Sequence, residues 1–285
     1  MPAPPARAAL RHEVPLVVLG VPVVVRAHGA EAVIVVAAVE RAWRWCLDPA
    51  PAGSQALVVD VLLDADDDIV RWAAGRGWVS AQSLEVLLHN LSPAITARAI
   101  EHLAGRTLMF HACALADPVT SAAALFVGPS GMGKTTLSRQ LGRSLGYVTD
   151  ETAAVAADGT LRLFPKPLSI LGESGSLKDQ VCPGDLGLLP PPPRPRVAAV
   201  VLLDRRSDAP AEPTLSRVDL LPAVAALAEQ ISYLKRLDKP LHQLTQLLRA
   251  VGGPLRLSYR DGADLLPVVR PLLRGMHEGP QVARA

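Results

Sequence analysis

The sequence predicts an α/β protein. The prediction rests on three apolar, strand-like segments: the run before residue 128, the run at 147–149 and the run at 197–203. Residues 128–135 fit the pattern G-x-x-x-x-G-K-[ST], with a strand-like run before them and a helix-compatible run after them. That strand–loop–helix order is the context in which the pattern is meaningful. Another apolar run, at 147–149, ends in two carboxylates, and a third, at 197–203, ends in Asp204. Open α/β sheets bind ligands beyond the carboxyl ends of such strands.

Length and composition favour two domains. The chain has 285 residues, of which 49% are hydrophobic, and a mean hydropathy of +0.26, so a sizeable core is available. We expect a smaller α+β domain over residues 1–100 and the loop-containing domain over residues 101–285. The smaller domain is expected to be an accessory, substrate-contacting or oligomerisation element.

The first hundred residues read as short strands and helices. We expect strands at Leu16–Leu19, Val21–Ala27, Ala56–Leu63 and Ile69–Trp72, a hairpin framed by Trp72 and Trp78, and helices at Ala32–Leu47, Ala81–Leu91 and Ile95–Leu103. The acidic run between residues 64 and 68 is typical of a solvated turn.

The second domain has stronger turn signals. Strands Thr107–Leu115 and Ala122–Val127 are expected to pair around Asp117-Pro118, and Asp158-Gly159 predicts a hairpin between Thr152–Ala156 and Leu161–Phe164. The remaining expected elements are strands Val197–Leu203 and Leu255–Tyr259 and helices Leu220–Leu237 and Leu265–Leu273. The stretch Leu171–Arg196 is expected to be irregular, and its part Gly172–Gly187 is a candidate for substrate contact.

The loop itself predicts binding of a nucleoside triphosphate. Its glycines let successive backbone N–H groups face one point, where the following helix adds its positive end. Lys134 can reach the β- and γ-phosphates, and the Thr135 hydroxyl can ligate Mg²⁺. The residues expected to contact the nucleotide are Gly128, Ser130, Gly131, Met132, Gly133, Lys134, Thr135 and Thr136.

The acidic pair Asp150-Glu151 follows Lys134 closely enough for one helix, a turn at Gly146 and one strand. One carboxylate of the pair can hold Mg²⁺, and its neighbour can accept a proton from an attacking hydroxyl. Asp204 competes with Glu151 for the magnesium role, because an apolar strand with a terminal Asp is the general form of a second nucleotide-site acid. Asp204 could equally cap the next turn.

The order of these motifs resembles the bacterial HPr kinase/phosphorylases and their smaller relatives, some of which act in lasso-peptide biosynthesis. That family joins a strand His, the phosphate-binding loop and an acidic pair, as His111, the loop at 128–135 and Asp150-Glu151 do here. The segment Phe164-Pro165-Lys166-Pro167-Leu168-Ser169 is similar to the F-P-[RK]-P-L-S stretch of HPr-kinase-like proteins. The resemblance covers roughly residues 100–275.

This resemblance implies a P-loop kinase core of the HPr-kinase-like type. By position, Asp150 matches the family's catalytic acid/base, Glu151 its second acid, and His111 the histidine beside the active site. Lys166 and Arg205 are further candidates for contact with phosphate or acceptor. A surface position for Lys166 is the alternative.

Charge and cysteine patterns restrict the partners and the compartment. The net charge is +2, with 29 basic and 27 acidic residues interspersed, which argues against nucleic acid as the main partner. The three widely spaced cysteines suit a reducing compartment. The apolar run Val14–Val25 contains prolines and lacks a good cleavage site, so it favours two strands over a signal peptide. We expect a cytoplasmic protein without a membrane segment. The sequence is compatible with a homo-oligomer.

Together these patterns predict an ATP-dependent kinase that uses Mg²⁺ and phosphorylates a hydroxyl on a peptide, protein or small metabolite, with a peptide natural-product precursor among the candidates. The alternative is a nucleotide-dependent switch or ATPase module without a dedicated acceptor. A preference for ATP over GTP is open. We expect acceptor choice to reside in residues 1–100 and in Gly172–Arg196.

Overall fold

The computed structural model describes residues 11–48, 55–171, 177–261 and 264–274. Contacts divide the chain into two compact units. Unit 1 comprises Met1–His102 with Phe164–Leu186, and unit 2 comprises Leu103–Leu163 with Gly187–Ala285. The chain therefore crosses between the units near residue 102, close to the predicted boundary, and crosses twice more around residues 164–186.

The described residues form a mixed α/β structure. The strands are β1 (Arg11–Val18), β2 (Val21–His28), β3 (Leu57–Leu63), β4 (Val79–Ala81), β5 (Leu108–Ala116), β6 (Ala122–Val127), β7 (Gly146–Thr149), β8 (Thr152–Val155), β9 (Leu161–Arg162), β10 (Leu168–Leu171), β11 (Lys178–Val181), β12 (Arg196–Arg205), β13 (Thr214–Arg217) and β14 (Leu255–Tyr259). The helices are α1 (Ala32–Ala42), α2 (Asp67–Ala74), α3 (Leu84–Leu103), α4 (Lys134–Leu141), α5 (Leu220–Ala228), α6 (Pro240–Ala250) and α7 (Leu266–Leu273).

Unit 1 contains a four-stranded sheet in the order β1-β2-β3-β4. The two strands expected within Val14–Val25 are present as β1 and β2, which pair antiparallel, and β2, β3 and β4 are parallel. Leu19 and Gly20 close the β1–β2 turn with φ values of 54° and 72°, the left-handed conformation that two-residue hairpin turns require.

The predicted strand Ile69–Trp72 was wrong, because these residues lie in α2. Asp66 caps this helix by accepting a hydrogen bond from the Asp68 N–H at 2.9 Å, and the acidic first turn complements the positive end of the helix. The predicted hairpin around Gly77 was also wrong, since Trp72 belongs to α2 and only Trp78 adjoins a strand. The two helices expected between residues 81 and 103 form one helix, α3, with Pro93 inside it.

The sequence placed residues 164–186 in the second domain, whereas in the structure they cluster with unit 1. The antiparallel strands β10 and β11 lie in this segment, so the expected irregular stretch is partly ordered sheet. Arg44 donates to Asp185 at 2.8 Å, and a Cβ at Gly184 would lie 3.2 Å from the Trp45 ring. Residues 172–176 of the expected substrate-contacting stretch lie outside the described residues.

Unit 2 contains the central sheet, in the order β13-β14-β12-β6-β5-β8-β9, with β7 also paired to β5. Strand β12 is parallel to both β6 and β14, whereas β5 is antiparallel to β6, β7 and β8. Strands β6 and β7 therefore run in the same direction, and their carboxyl ends meet at the same edge. The core between this sheet and the helices includes Phe110, Leu125, Val148, Leu244 and Leu248.

Several predictions for unit 2 are confirmed. The β5–β6 pair and the β8–β9 hairpin form as expected, and β14 spans Leu255–Tyr259. The predicted helix Leu220–Leu237 instead ends at Ala228. It ends there because the following residues bond to β5: the His111 N–H donates to the Gln230 carbonyl at 2.7 Å, and the Ser232 N–H donates to the Met109 carbonyl at 2.9 Å. Strand β13 and helix α6 were not predicted.

In the parts of the chain that the structure describes, no helix is both long and apolar enough to cross a membrane.

Candidate functional site

The loop at 128–133 joins the carboxyl end of β6 to the first turn of α4. Gly131 and Gly133 have φ values of 86° and 84°, which residues with a Cβ rarely adopt. Gly128 is buried, and a Cβ there would lie 3.4 Å from Leu203 and from Met132. The backbone conformation therefore requires glycine at 131 and 133, whereas at 128 the constraint is the close packing of Leu203 and Met132.

Lys134 begins α4 and is buried inside this loop, with 7% of its surface exposed. Its Nζ donates to the Gly128 carbonyl at 2.6 Å and to the Pro129 carbonyl at 2.9 Å. Burial lowers the pKa of Lys134, while the neighbouring Asp150 acts in the opposite direction. The ammonium group is thus held at the start of the loop, where a bound phosphate would meet it.

Asp150 is the carboxylate that contacts the loop directly. The Thr135 hydroxyl donates to Asp150 Oδ2 at 2.9 Å, and the Tyr147 hydroxyl donates to Oδ1 at 3.0 Å. Although β5 separates β7 from β6, the common edge of the sheet brings the end of β7 to α4. Tyr147 was missed as a site residue. Its position three residues before Asp150, on the same apolar strand, was the available signal.

Glu151 and Asp204, the two candidates for the magnesium role, have other neighbours. Glu151 is half-buried, and its backbone carbonyl accepts from the Ala112 N–H at 3.1 Å. Asp204 accepts from the Ser258 hydroxyl at 2.8 Å and pairs with Arg206 at 3.0 Å. The acid that contacts Thr135 is therefore Asp150.

His111 lies near the start of β5, at the edge of the sheet that carries the loop. Burial lowers the pKa of His111, and the Lys134 charge lowers it further, while Glu151 and Asp150 partly offset both effects. Its imidazole is therefore neutral near pH 7. In the strand register His111 lies opposite Thr152, the residue after Glu151, and the adjacent Ala112 lies opposite Val127, the last residue of β6 before the loop.

Arg205 and Tyr259 complete the loop's surroundings. A Cβ at Gly133 would lie 3.0 Å from Arg205 Nη1, so the guanidinium rests against the loop, and it pairs with Asp261 at 2.9 Å. The Tyr259 hydroxyl donates to the Met132 carbonyl at 2.9 Å. Burial raises the pKa of Tyr259 to about 12, which keeps this hydroxyl protonated. Tyr259 was missed, although it ends a strand that the sequence predicted.

Lys166 belongs to unit 1, whereas the loop belongs to unit 2. The alternative of a surface lysine was wrong, because only 3% of Lys166 is exposed. Its Nζ donates to the Pro167 carbonyl at 3.2 Å, and its charge partly offsets the rise in pKa that burial imposes on Cys46.

A cavity of about 590 Å³ opens beside the loop in unit 2. Gly128 and Pro129 border it on one side, and Asp204 borders it at the end of β12. Its other polar lining residues are Arg206, Glu229, Gln230 and Arg256. None of the last four was predicted as a site residue.

Within the described ranges, no group of three or more His, Cys, Asp or Glu side chains is arranged to hold a metal ion. A magnesium ion bound with a nucleotide does not require such a group, since it takes one or two protein oxygens and completes its shell with phosphates and water. The Thr135 hydroxyl supplies one oxygen of that kind, and the carboxylates of Asp150, Glu151 and Asp204 are the candidates for a second one.

The chain was compared with protein-family models and with curated proteins, and neither comparison gives a match.

Proposed function

We propose that the protein is an ATP-dependent kinase of the HPr-kinase-like P-loop type, which transfers the γ-phosphoryl group to a hydroxyl acceptor. The observation that carries the proposal is the contact between Thr135 and Asp150, beside a loop that already holds Lys134 between two of its carbonyls. A loop that only binds nucleotide needs the lysine and one oxygen that ligates the metal ion. A second acid and a neutral histidine at the same edge suit proton transfer as well.

The phosphates are held by the backbone N–H groups of residues 128 and 130–136 and by Lys134. These donors are fixed before the reaction, so they stabilise charge in the transition state without reorganisation. Arg205 lies against Gly133 and is positioned to add a second positive charge to the same group. This arrangement resembles the division of roles in other phosphoryl-transfer enzymes, where positioning and electrostatics supply most of the catalysis.

Mg²⁺ would be held through Thr135, with Glu151 or Asp204 as the second protein ligand. The ion, when bound, neutralises charge on the β- and γ-phosphates. Asp150 receives the proton of the acceptor hydroxyl, and His111, held neutral beside the acidic pair, is a positioning partner of that pair or of the phosphate. Because Asp150 contacts Thr135, an exchange of roles between Asp150 and Glu151 is the main alternative within this mechanism.

The first prediction concerns Lys134. We expect Lys134→Ala to weaken ATP binding and to reduce transfer by about 10²-fold or more, because one preorganised charge in a buried site contributes on that scale. Lys235→Ala, which changes an exposed lysine of the same unit, is the matched control. Binding is measured with a fluorescent ATP analogue. Equal affinities in the two variants would remove the loop from the proposed mechanism.

A further inference from the structure

The cavity beside the loop lies at the ends of β6 and β12, from which the chain continues in opposite directions along the sheet. After β6 the chain passes through α4 to β7, which pairs with the far side of β5. After β12, which is parallel to β6, it leads to β13 and to β14, and β14 pairs with the other side of β12. Open α/β sheets bind ligands in the crevice at such a point, outside the carboxyl ends of the two strands. The cavity lies there, because Val127 ends β6 and Asp204 is near the end of β12, and both line it.

The same cavity adjoins the part of the loop that holds Lys134. Gly128 and Pro129, which line it, are the two residues whose carbonyls accept from Lys134 Nζ. Gln230, another lining residue, accepts from the His111 N–H through its backbone carbonyl. The cavity and the acidic pair thus lie next to the same two residues of β5, since the His111 N–H donates to Gln230 and the Ala112 N–H donates to Glu151.

Four charged side chains line the cavity, of which two pair with each other and two do not. Asp204 and Arg206 pair with each other at 3.0 Å. The side chains of Glu229 and Arg256 are exposed to solvent, and among the described residues neither makes a hydrogen bond or an ion pair. Glu229 also stands at the carboxyl end of α5, where the helix dipole disfavours a negative charge. A ligand that carries one cation and one anion would find a partner for each of its charges here.

We propose that this cavity binds the phosphate acceptor, and that the acceptor is a small zwitterionic alcohol of the hydroxy amino acid class. Its carboxylate pairs with Arg256 and its ammonium group with Glu229, while its hydroxyl is directed to the loop. A volume of about 590 Å³ lies within the usual range of small-molecule sites, roughly 300–1,000 Å³. A hydroxyl-bearing residue inside a peptide lacks the free ammonium and carboxylate groups, so it matches these two charges less well.

The inference rests on the proposed kinase activity, and the step balances with ATP as the only co-substrate. The acceptor oxygen forms a bond to the γ-phosphorus, and the bond from that phosphorus to the β–γ bridging oxygen breaks. The electron pair of that bond leaves with ADP, and the hydroxyl proton passes to Asp150. The products are an O-phospho amino acid and ADP.

The test uses the full chain with ATP and Mg²⁺ and a panel of defined acceptors. L-Serine, L-threonine and L-homoserine carry both charges; glycerate lacks the ammonium group, ethanolamine lacks the carboxylate, and N-acetyl-L-serine lacks the ammonium but keeps the hydroxyl and carboxylate. Phosphorylated products are measured by mass spectrometry. Binding is measured by calorimetry in the presence of a non-hydrolysable ATP analogue. We expect at least one of the three hydroxy amino acids to bind and to be phosphorylated at least about 10-fold better than the other compounds, as loss of one charged hydrogen bond implies.

Two variants locate the acceptor. We expect Arg256→Gln and Glu229→Gln each to raise the acceptor KM by about 10-fold or more, since each removes one charged contact, with the ATP dissociation constant retained. Arg249→Gln and Glu212→Gln change exposed residues of the same unit that do not line the cavity, and they serve as controls.

Three outcomes would overturn this inference. Unchanged acceptor KM in both cavity variants would place the acceptor elsewhere. Equal phosphorylation of N-acetyl-L-serine or of serine-containing peptides would reject the zwitterionic class. ATP binding without binding or phosphorylation of any hydroxy amino acid would reject it as well. The kinase proposal itself is separate, because it depends on the effect of Lys134→Ala on nucleotide binding and on transfer to any hydroxyl.

Discussion

At the scale of single residues, Thr135, Asp150 and Lys134 share one edge of the sheet, and the proposed chemistry depends on that arrangement. Asp150 is buried and accepts hydrogen bonds from two hydroxyls, so its carboxylate is fixed next to α4. A carboxylate fixed in this way can act as a base only if the acceptor reaches it, and as a metal ligand only if the ion binds beside Thr135. The two roles predict different kinetics.

The second prediction therefore concerns the three acids. We expect Asp150→Asn to keep ATP binding and to lower kcat by about 10²-fold or more, as loss of a general base does. Glu151→Gln should instead raise the Mg²⁺ concentration required for half-maximal activity, and Asp179→Asn, an exposed change in unit 1, should do neither. If Asp150→Asn is the variant that shifts the Mg²⁺ requirement, Asp150 is the metal ligand. Full activity of Asp150→Asn with loss in Asp204→Asn would make Asp204 the base.

The third prediction concerns Gly133. Gly133→Ala introduces a Cβ at a φ of 84° and 3.0 Å from Arg205 Nη1. Gly77→Ala introduces one at a φ of 77°, with nothing within 4 Å. We expect both variants to lower the free energy of unfolding by about 1 kcal/mol, because both force a left-handed conformation. Only Gly133→Ala should weaken ATP binding. Wild-type affinity in Gly133→Ala would show that neither the loop conformation nor Arg205 contributes.

At the scale of elements, the β5–β6 hairpin brings His111 to the edge of the sheet that carries the loop. Strand β5 is antiparallel to β6, so its first half lies beside the end of β6 at which the nucleotide would bind. The hairpin turn is held by Asp117, which is 4% exposed. Its Oδ1 accepts from the Val119 N–H at 2.9 Å and from the Thr120 N–H at 3.0 Å. This one side chain therefore satisfies two backbone donors.

The fourth prediction follows from that turn. We expect Asp117→Ala to lower the free energy of unfolding by about 1 kcal/mol, since it removes two hydrogen bonds that hold the turn, while their exposed donors at Val119 and Thr120 can bond to water instead. Hydrogen bonds from Thr120 and Val119 and the charge of Arg274 hold the pKa of Asp117 below its ordinary value. The contribution is therefore present above the ordinary Asp pKa, about 4, and is lost as pH falls through the lowered value. Denaturant unfolding from pH 7 to pH 2 measures both effects. A difference from wild type that does not shrink in acid would contradict this explanation.

At the scale of the whole molecule, the sequence predicted best where the signal is local. The loop, the Asp117 and Asp158-Gly159 turns and strand β14 each depend on a few consecutive residues, and the structure contains them where they were expected. Local signals also misled, since Ile69–Trp72 has strand propensity but is capped as a helix by Asp66. The early end of α5 could not be predicted, because its cause is pairing with β5, more than a hundred residues earlier.

Long-range assembly also explains which site residues were missed. The cavity takes residues from the ends of β6 and β12, from α5 and from β14, and these segments are adjacent only once the sheet order is known. Sequence reasoning placed acceptor choice in residues 1–100 and in Gly172–Arg196, whereas the proposed acceptor cavity lies in unit 2. Single charged residues such as Glu229 and Arg256 carry no local pattern that distinguishes them from a solvated surface.

The central claim is that the γ-phosphoryl group is transferred to an alcohol oxygen, and the most direct measurement follows that group. The full chain is incubated with γ-labelled ATP, Mg²⁺ and the acceptor panel, and the label is located by mass spectrometry, with Lys134→Ala and Asp150→Asn in parallel. The account predicts label on a hydroxyl oxygen of an acceptor in wild type, and at least about 10²-fold less of it in both variants. Label found only in inorganic phosphate, at a rate independent of every acceptor, would contradict the account and indicate a nucleotide-dependent switch or ATPase.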